Sequence, residues 1–275
     1  MPDAAPSLDM SALAAALATS KIVDLSVTLA DELPGAWPTH VPFQRKVFNW
    51  FGATGPYHTA FLLLDEHCGT HVDAPAHFIP PPGSGLPNEG ELAAMTADKL
   101  DLSRLVGPAA VIDVSHLTGQ GENGESPEIT PEVVEAWEAE HGALQPGDIV
   151  LFASGWDRFY APPPDGDRYA REPFLHGRGP GWPTPGVPTL QLLLDRGATV
   201  VGLDGVSVGA SHAGVPPHVF GLGRNMVFVE LLANLDKLPP RGALFVCLPL
   251  KIAGGSAGPA RAIGLVPRQR GPGSR

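Results

Sequence analysis

The chain has 275 residues and a formal charge of −11, from 18 basic and 29 acidic side chains; 43% of residues are hydrophobic and 17% charged. This suits one large globular domain that needs no staples and excludes a disordered chain. The acidic balance and the absence of a Lys/Arg face before the terminal RQRGPGSR argue against nucleic acid as a partner, and no apolar run reaches membrane-spanning length.

In chain order, residues 7–19 predict a short helix, with Ser7 as its cap and alanine and leucine filling it. KIVDLSVTL at 21–29 predicts a strand, and LPGAWPTHVPF at 33–43 a proline-punctuated loop holding Trp37. The run from Tyr57 to Ile79 reads as strand, turn and strand, and ends at the prolines from Pro80. GPAAVIDVS at 107–115 has a buried-strand pattern. ITPEVVEAWEAEHG at 129–142 carries strong helix signals: Thr130 at the N-cap, Pro131 at the first helical position and Gly142 at the end. PGDIVLFASGW is a strand leaving a turn, and residues 161–188 read as a proline- and glycine-rich surface excursion. TLQLLLDRGATVVGLDGVSV predicts helix, glycine cap and strand, and two more strand-like runs, NMVFVELLANLDKLP and GALFVCLPLKIAG, close the chain. The whole reads as mixed α/β: an N-terminal helical segment at 1–20, one domain at 21–265 and a flexible tail at 266–275. The 33 glycines and 31 prolines carry no repeat and predict many turns between short elements.

Two cysteines, Cys68 and Cys247, lie in unrelated contexts and form no CxxC pair, so a reducing compartment is the default. Asp3 and Asp9 stand where a signal peptide carries positive charge. The expected location is therefore cytoplasmic.

Residues 66–78, EHCGTHVDAPAHF, place His67, His71 and His77 around Asp73. In an extended chain His67, His71 and Asp73 share a face; a helix would throw Asp73 to another side, and Gly69 and Pro75 oppose one. The predicted form is extended, bent at Gly69 or near Pro75. Imidazole with carboxylate suits zinc, manganese or ferrous iron, and the HExxH arrangement is absent. Cys68, of opposite parity, reads as a small buried apolar residue.

HCGTHVDAPAHF resembles the H-x-G-T-H-x-D-x-P-x-H-F signature of the cyclase family that includes bacterial metal-dependent kynurenine formamidases and isatin hydrolases. IVDLS with Trp37-Pro38, PGDIVLFASGW, VGLDGVSV and the closing stretch from Gly254 to Arg261 resemble further segments of that family, so the likeness spans most of residues 22–263. The resemblance implies a compact α/β domain with a β-barrel-like mixed sheet flanked by helices, of the swivelling β/β/α type. It implies a homo-oligomer (dimer or tetramer) whose subunits can exchange N-terminal segments, and one or two divalent ions, Zn or Mn, per chain. It assigns His67, His71 and Asp73 as ligands, with Asp73 bridging where two ions bind, and His77 as general acid/base. His218 and Glu230, twelve residues apart and followed by Asn234-Leu235, match the family's second ligand pair; the spacing of His212 does not fit. Trp37 takes a substrate-contact position. Where the formamidases have W-P-G-D, this chain has Trp37-Pro38-Thr39-His40, and it adds proline-rich loops.

The implied reaction is hydrolysis of a small cyclic amide, N-acyl amine or lactone by metal-activated water. The alternatives are ring closure of an aromatic polyketide type at the same site, or a metal-stabilised binding protein without activity. Outside the cluster, Trp156 and Phe159 read as packing residues and Asp204 as a hydrogen-bonding group at a strand end. Ser207 lacks the G-x-S-x-G context of a nucleophile. His58, His116, His141 and His176 read as surface or loop residues.

Overall fold

Strands that are apolar at every position need cover on both sides, and here a ring of strands supplies one side and helices the other. A computed structural model describes residues 10–35 and 37–268. In chain order the first elements are α1 (Met10–Ala18), β1 (Ser20–Asp24), β2 (Gln44–Asn49), β3 (Thr59–Leu63) and β4 (His71–Asp73). There follow β5 (Val106–Asp113), β6 (Glu128–Ile129), α2 (Pro131–His141), β7 (Ile149–Ala153), α3 (Arg171–His176) and β8 (Thr184–Pro185). The last are α4 (Val187–Asp195), β9 (Val200–Leu203), α5 (Val215–Leu222), β10 (Val227–Glu230), β11 (Leu244–Pro249) and β12 (Ala257–Pro267).

β12, β11, β5, β7, β9, β10 and β4 pair in that order, and β4 pairs back onto β12, which closes the ring as a mixed barrel; β1 lies outside it on β12. β5, β7, β9 and β10 run parallel, and the other pairings in the ring are antiparallel. Parallel neighbours need crossovers, and α2, α4 and α5 provide them.

Alternation along each strand sorts the core into two sets. Val72, Ala109, Val111, Ile149, Leu151, Val229 and Phe245 pack with one another, whereas Ala110, Ile112, Val150, Phe152 and Phe228 pack against Trp137 of α2, Leu190 and Leu193 of α4 and Leu222 of α5. The first set fills the barrel and the second lies under the helices. Each fully buried Leu or Phe contributes about 1.5–3 kcal/mol.

The structure departs from the sequence reading in several places. The strand expected at 21–29 stops at Asp24, because the Ser26 hydroxyl accepts the Ala262 N–H at 2.7 Å and a side chain replaces the ladder there. The stretch at 161–188 is not a surface excursion: Tyr169, Ala170 and Trp182 in it are buried, with the Trp182 indole donating to the Ser207 carbonyl at 2.7 Å. The last strand runs through Pro267, past the expected boundary at 265. Ser7 and residues 269–275 lie outside the described residues.

Candidate metal centre

β4 is three residues long, and its pleat decides the site. Val72 enters the barrel interior, so His71 and Asp73 both face outward. Opposite them on β10, Glu230 pairs with His71 and Phe228 with Asp73. Glu230 therefore joins the same face. α5 crosses above and brings down His218; a Cβ on its Gly221 would run into the Phe228 ring, so the helix approaches β10 at glycine distance.

His67 and His77 arrive by turns on either side of β4. Gly69, at φ +66°, bends the chain so that His67 lies ahead of the strand rather than in it. After Ala74, Pro75 starts a single 3-10 turn, Pro75–His77, that returns His77 to the cluster. The His67 and His77 ring centroids are 4.0 Å apart, and those of His77 and His218 5.8 Å.

The polar atoms converge on the Asp73 carboxylate. His67 Nδ1 is 2.9 Å and His71 Nε2 3.3 Å from Oδ1, and His218 Nε2 is 3.7 Å from Oδ2. Glu230 approaches His71 Nε2 at 3.5 Å and His218 Nε2 at 3.3 Å. His71 and His218 each point Nδ1 at a backbone carbonyl, Gly69 and Gly214 respectively, both at 2.8 Å. Nε2 is therefore the atom each ring turns to the carboxylates, carrying a proton when the ring is charged and a lone pair when it is neutral. Glu230 Oε1 also accepts the Val208 N–H at 2.7 Å, which fixes its rotamer.

Asp73 is fully buried, yet neither of its oxygens has a hydrogen bond of acceptable alignment, and neither has His71 Nε2. Unsatisfied buried polar atoms cost about 1–3 kcal/mol each. Two carboxylates and three imidazoles crowded together, with both Asp73 oxygens and His71 Nε2 unpaired, form a donor set that fits a divalent cation. His67, Asp73 and His77 form one group of ligand atoms within 4.8 Å of one another, and His71, Asp73 and Glu230 form another. Asp73 belongs to both.

The electrostatics agree. Burial opposes the charged form of His71, but Asp73 and Glu230 outweigh it and raise its pKa to about 10. His218 is raised as well, burial again being outweighed, chiefly by Glu230. Burial would raise Asp73, but His67 and His77 hold it well below the usual carboxylate range; Glu230 is lowered to about 2 against burial and Asp73, by His218 and His71. The field that retains protons on these rings also attracts a cation. His77 moves the other way: burial pushes it down to about 4 against the pull of Asp73, so its ring is neutral near pH 7.

The cluster forms the floor of a cavity of about 270 Å³. Trp37, Phe78, Phe174, Val206, Val215 and Leu231 supply apolar walls. Trp37 packs on Phe174 at 4.4 Å and edge-on to Trp182 at 5.9 Å.

All seven residues singled out from the sequence line this cavity or, for Asp73, lie directly beneath it. The wall residues Phe174 and Val215 were not found, because nothing in a proline-rich stretch marks one aromatic or aliphatic side chain as facing a pocket. Trp156 and Phe159 stay out of the cavity lining and pack with Tyr169 and Trp182 behind the wall residues Trp37, Val206 and Leu231, and Asp204 accepts hydrogen bonds from the Ser154 and Gly155 backbone. His212 accepts the Ser126 N–H and stays out of the cavity lining. Ser207 does line it, with its hydroxyl engaged by the Gly209 N–H. Cys68 is buried and unpaired with Cys247.

Comparison with known proteins agrees with this geometry. The sequence model of the Cyclase family, described as "Putative cyclase", matches residues 23–210. The isatin hydrolase of Roseibium aggregatum is 33% identical over 228 residues, covering 79% of each chain. The kynurenine formamidase of Salinibacter ruber is 31% identical over 207 residues, covering 74% of this chain and 77% of its own. Among solved structures, isatin hydrolase A from Labrenzia aggregata, bound to benzyl benzoate, superposes with a TM-score of 0.78 at 28% identity, over 94% of this chain and 99% of its own. A match over most of the chain and a shared fold place this protein in the cyclase family, the family of hydrolytic enzymes to which these relatives belong.

Proposed function

We propose that the protein hydrolyses the acyl C–N bond of a small aromatic cyclic amide or N-acyl arylamine, with His67, His71, Asp73, His218 and Glu230 as ligands of one or two divalent ions, zinc or manganese. The observation that carries this reading is the Asp73 carboxylate, buried without a hydrogen-bond partner at the meeting point of three imidazoles and a second carboxylate. Isatin hydrolase and kynurenine formamidase are both named for opening amide bonds, which supports the C–N class.

A bound divalent ion supplies an acidified water and polarises a carbonyl oxygen. The chain does the rest. The Trp37–Phe174 wall offers a flat aromatic substrate a face to stack on and excludes bulk water from the reacting bond. The cavity volume sets a small-molecule limit on what enters. His77, neutral near pH 7, takes a proton at a ring nitrogen as the nucleophile attacks and returns it to the departing nitrogen. Glu230, locked by Val208, holds its carboxylate toward both His71 and His218.

The test is proton release at neutral pH with a formanilide, isatin, cyclic imides and simple lactones, each with added zinc or manganese and again with chelator. Every hydrolysis on that panel frees an acid. The expected result is chelator-sensitive release, fastest with an aromatic amide. Release indifferent to chelator, or confined to lactones, would overturn the proposal.

We also infer a homo-oligomer, from the β2–β3 hairpin. It forms a two-stranded sheet of its own, and Val47, Phe48, Trp50, Phe51, Phe61, Leu62 and Leu63 on and beside it are about half exposed or more. A lone two-stranded hairpin is marginal in water. These side chains present roughly 700 Å² of apolar surface, near the ~800 Å² per partner of a standard interface. A second copy of the chain is the occupant that fits.

A further inference from the structure

His67 differs from the other two imidazoles at Asp73 in which nitrogen it presents. His71 and His218 bond a backbone carbonyl through Nδ1 and turn Nε2 inward. His67 does the reverse: Nδ1 faces Asp73 Oδ1 at 2.9 Å, and Nε2 lies 3.2 Å from the Ser256 hydroxyl.

The direction of that second contact follows from the partner of Ser256. Glu66 Oε2 accepts the Ser256 hydroxyl at 2.9 Å, the Ser256 N–H at 2.7 Å and, more distantly, the Ala257 N–H at 3.4 Å. A carboxylate accepts and does not donate, so the serine hydrogen points at Glu66. The serine oxygen then has only lone pairs for the imidazole, and His67 must donate from Nε2. In the neutral ring this places the remaining lone pair on Nδ1, aimed at the Asp73 oxygen. Two acceptor atoms 2.9 Å apart repel unless a proton or a metal ion lies against both.

The segment carrying Ser256 is itself pinned beside the cluster. The Ser256 carbonyl accepts the Ala74 N–H at 3.0 Å, one residue past β4, and the Gly255 carbonyl accepts the Ala97 N–H at 2.8 Å. The serine is thus tied to the strand that carries His71 and Asp73, and its hydroxyl cannot drift relative to them.

We propose that Glu66 and Ser256 are positioning residues for the metal centre: through the chain Glu66–Ser256–His67 they fix the Nε2–H tautomer of His67 and make it an Nδ1 ligand, opposite in sense to His71 and His218. This rests on the metal reading of the cluster given above. Partners of this kind typically alter metal affinity ten- to a hundredfold.

The test has two readouts, neither of them turnover. In zinc-loaded protein labelled with 15N-histidine, long-range proton–nitrogen spectra assign each imidazole tautomer. His67 is expected as Nε2–H, with His71 and His218 as Nδ1–H; His67 found as Nδ1–H would overturn the proposal. Zinc affinity is then measured by chelator competition for the wild type, Ser256→Ala and Ser256→Thr. Ser256→Ala is expected to bind ten- to a hundredfold more weakly, and Ser256→Thr, which keeps the hydroxyl, to recover most of that loss. Wild-type affinity in Ser256→Ala would overturn the positioning role while leaving the metal reading intact. A wild-type protein that binds no zinc or manganese would overturn both. Should Ser256→Ala fail to fold, the wild-type tautomer spectrum still decides.

Discussion

At the level of single residues, the sequence exposed the site because its donors are chemically rare and closely spaced. His67, His71, Asp73 and His77 fall within eleven positions, and parity correctly put His71 and Asp73 on one face. Parity did not explain His67 and His77, which reach the cluster through a glycine bend and a proline-started turn. Glu66 and Ser256 were illegible: nothing in two ordinary polar residues 190 positions apart announces a shared hydrogen bond. The role of His77 is open to direct test. His77→Asn should retain bound metal and lose at least about a hundredfold in kcat; loss of metal in parallel, measured by elemental analysis, would make His77 a ligand instead. Gly69 carries a second prediction. At φ +66° a Cβ would sit 2.5 Å from Leu29 Cδ2, and the Gly69 carbonyl holds His71 Nδ1. Gly69→Ala should cost about 1–3 kcal/mol of stability and weaken metal binding, read by urea unfolding and chelator competition. Wild-type values in both would contradict the geometry assigned to the bend.

At the level of elements, the strands and helices with plain periodicity were readable and those punctuated by proline and glycine were not. β5, β7, β9, α2 and α4 announce themselves as apolar runs or capped helices. α5 hides because Pro216 and Pro217 fall in its first turn, where a missing N–H costs nothing. β12 hides behind Gly254, Gly255, Gly258 and Pro259, and Pro259 lies where the strand changes partner from β11 to β4. The outer helices are tied as well as packed: Arg196, just past α4, donates to the α2 carboxylate Glu138 at 3.1 Å, and Glu138 also accepts the Leu144 N–H at 2.8 Å. Burial would raise Glu138, but these bonds, Arg196 first, leave it below its ordinary 4.5. A lowered folded pKa contributes stability that is present above 4.5 and lost as pH falls through the folded value. Glu138→Gln should therefore be less stable than the wild type at pH 7, and the gap should shrink as pH falls below 4.5. Urea midpoints across that range measure it; a gap that widens in acid would contradict the assignment.

At the level of the whole molecule, the mixed α/β class was legible from alternating strand and helix signals. Barrel closure was not legible from pattern, since it depends on the three-residue β4 bridging β10 and β12. No described helix is long and apolar enough to cross a membrane. The exposed β2–β3 hairpin carries Phe48, Trp50, Phe51 and Phe61, each more than half exposed, and its predicted cover is a second copy. Phe48→Glu with Phe61→Glu should shift the protein to the monomer in sedimentation equilibrium, while the far-ultraviolet circular dichroism stays that of the wild type. An unchanged mass would remove the hairpin from the interface.

In the proposed function, the Asp73 cluster holds the metal on which amide hydrolysis depends. The most direct measurement follows bound metal and amide hydrolysis together, in wild type and Asp73→Ala, as zinc or manganese is returned to chelated protein. In the wild type both should rise together to saturation at one or two ions per chain, and Asp73→Ala should gain neither. Hydrolysis that survives complete metal removal, or an Asp73→Ala protein that binds metal and turns over as the wild type does, would contradict it.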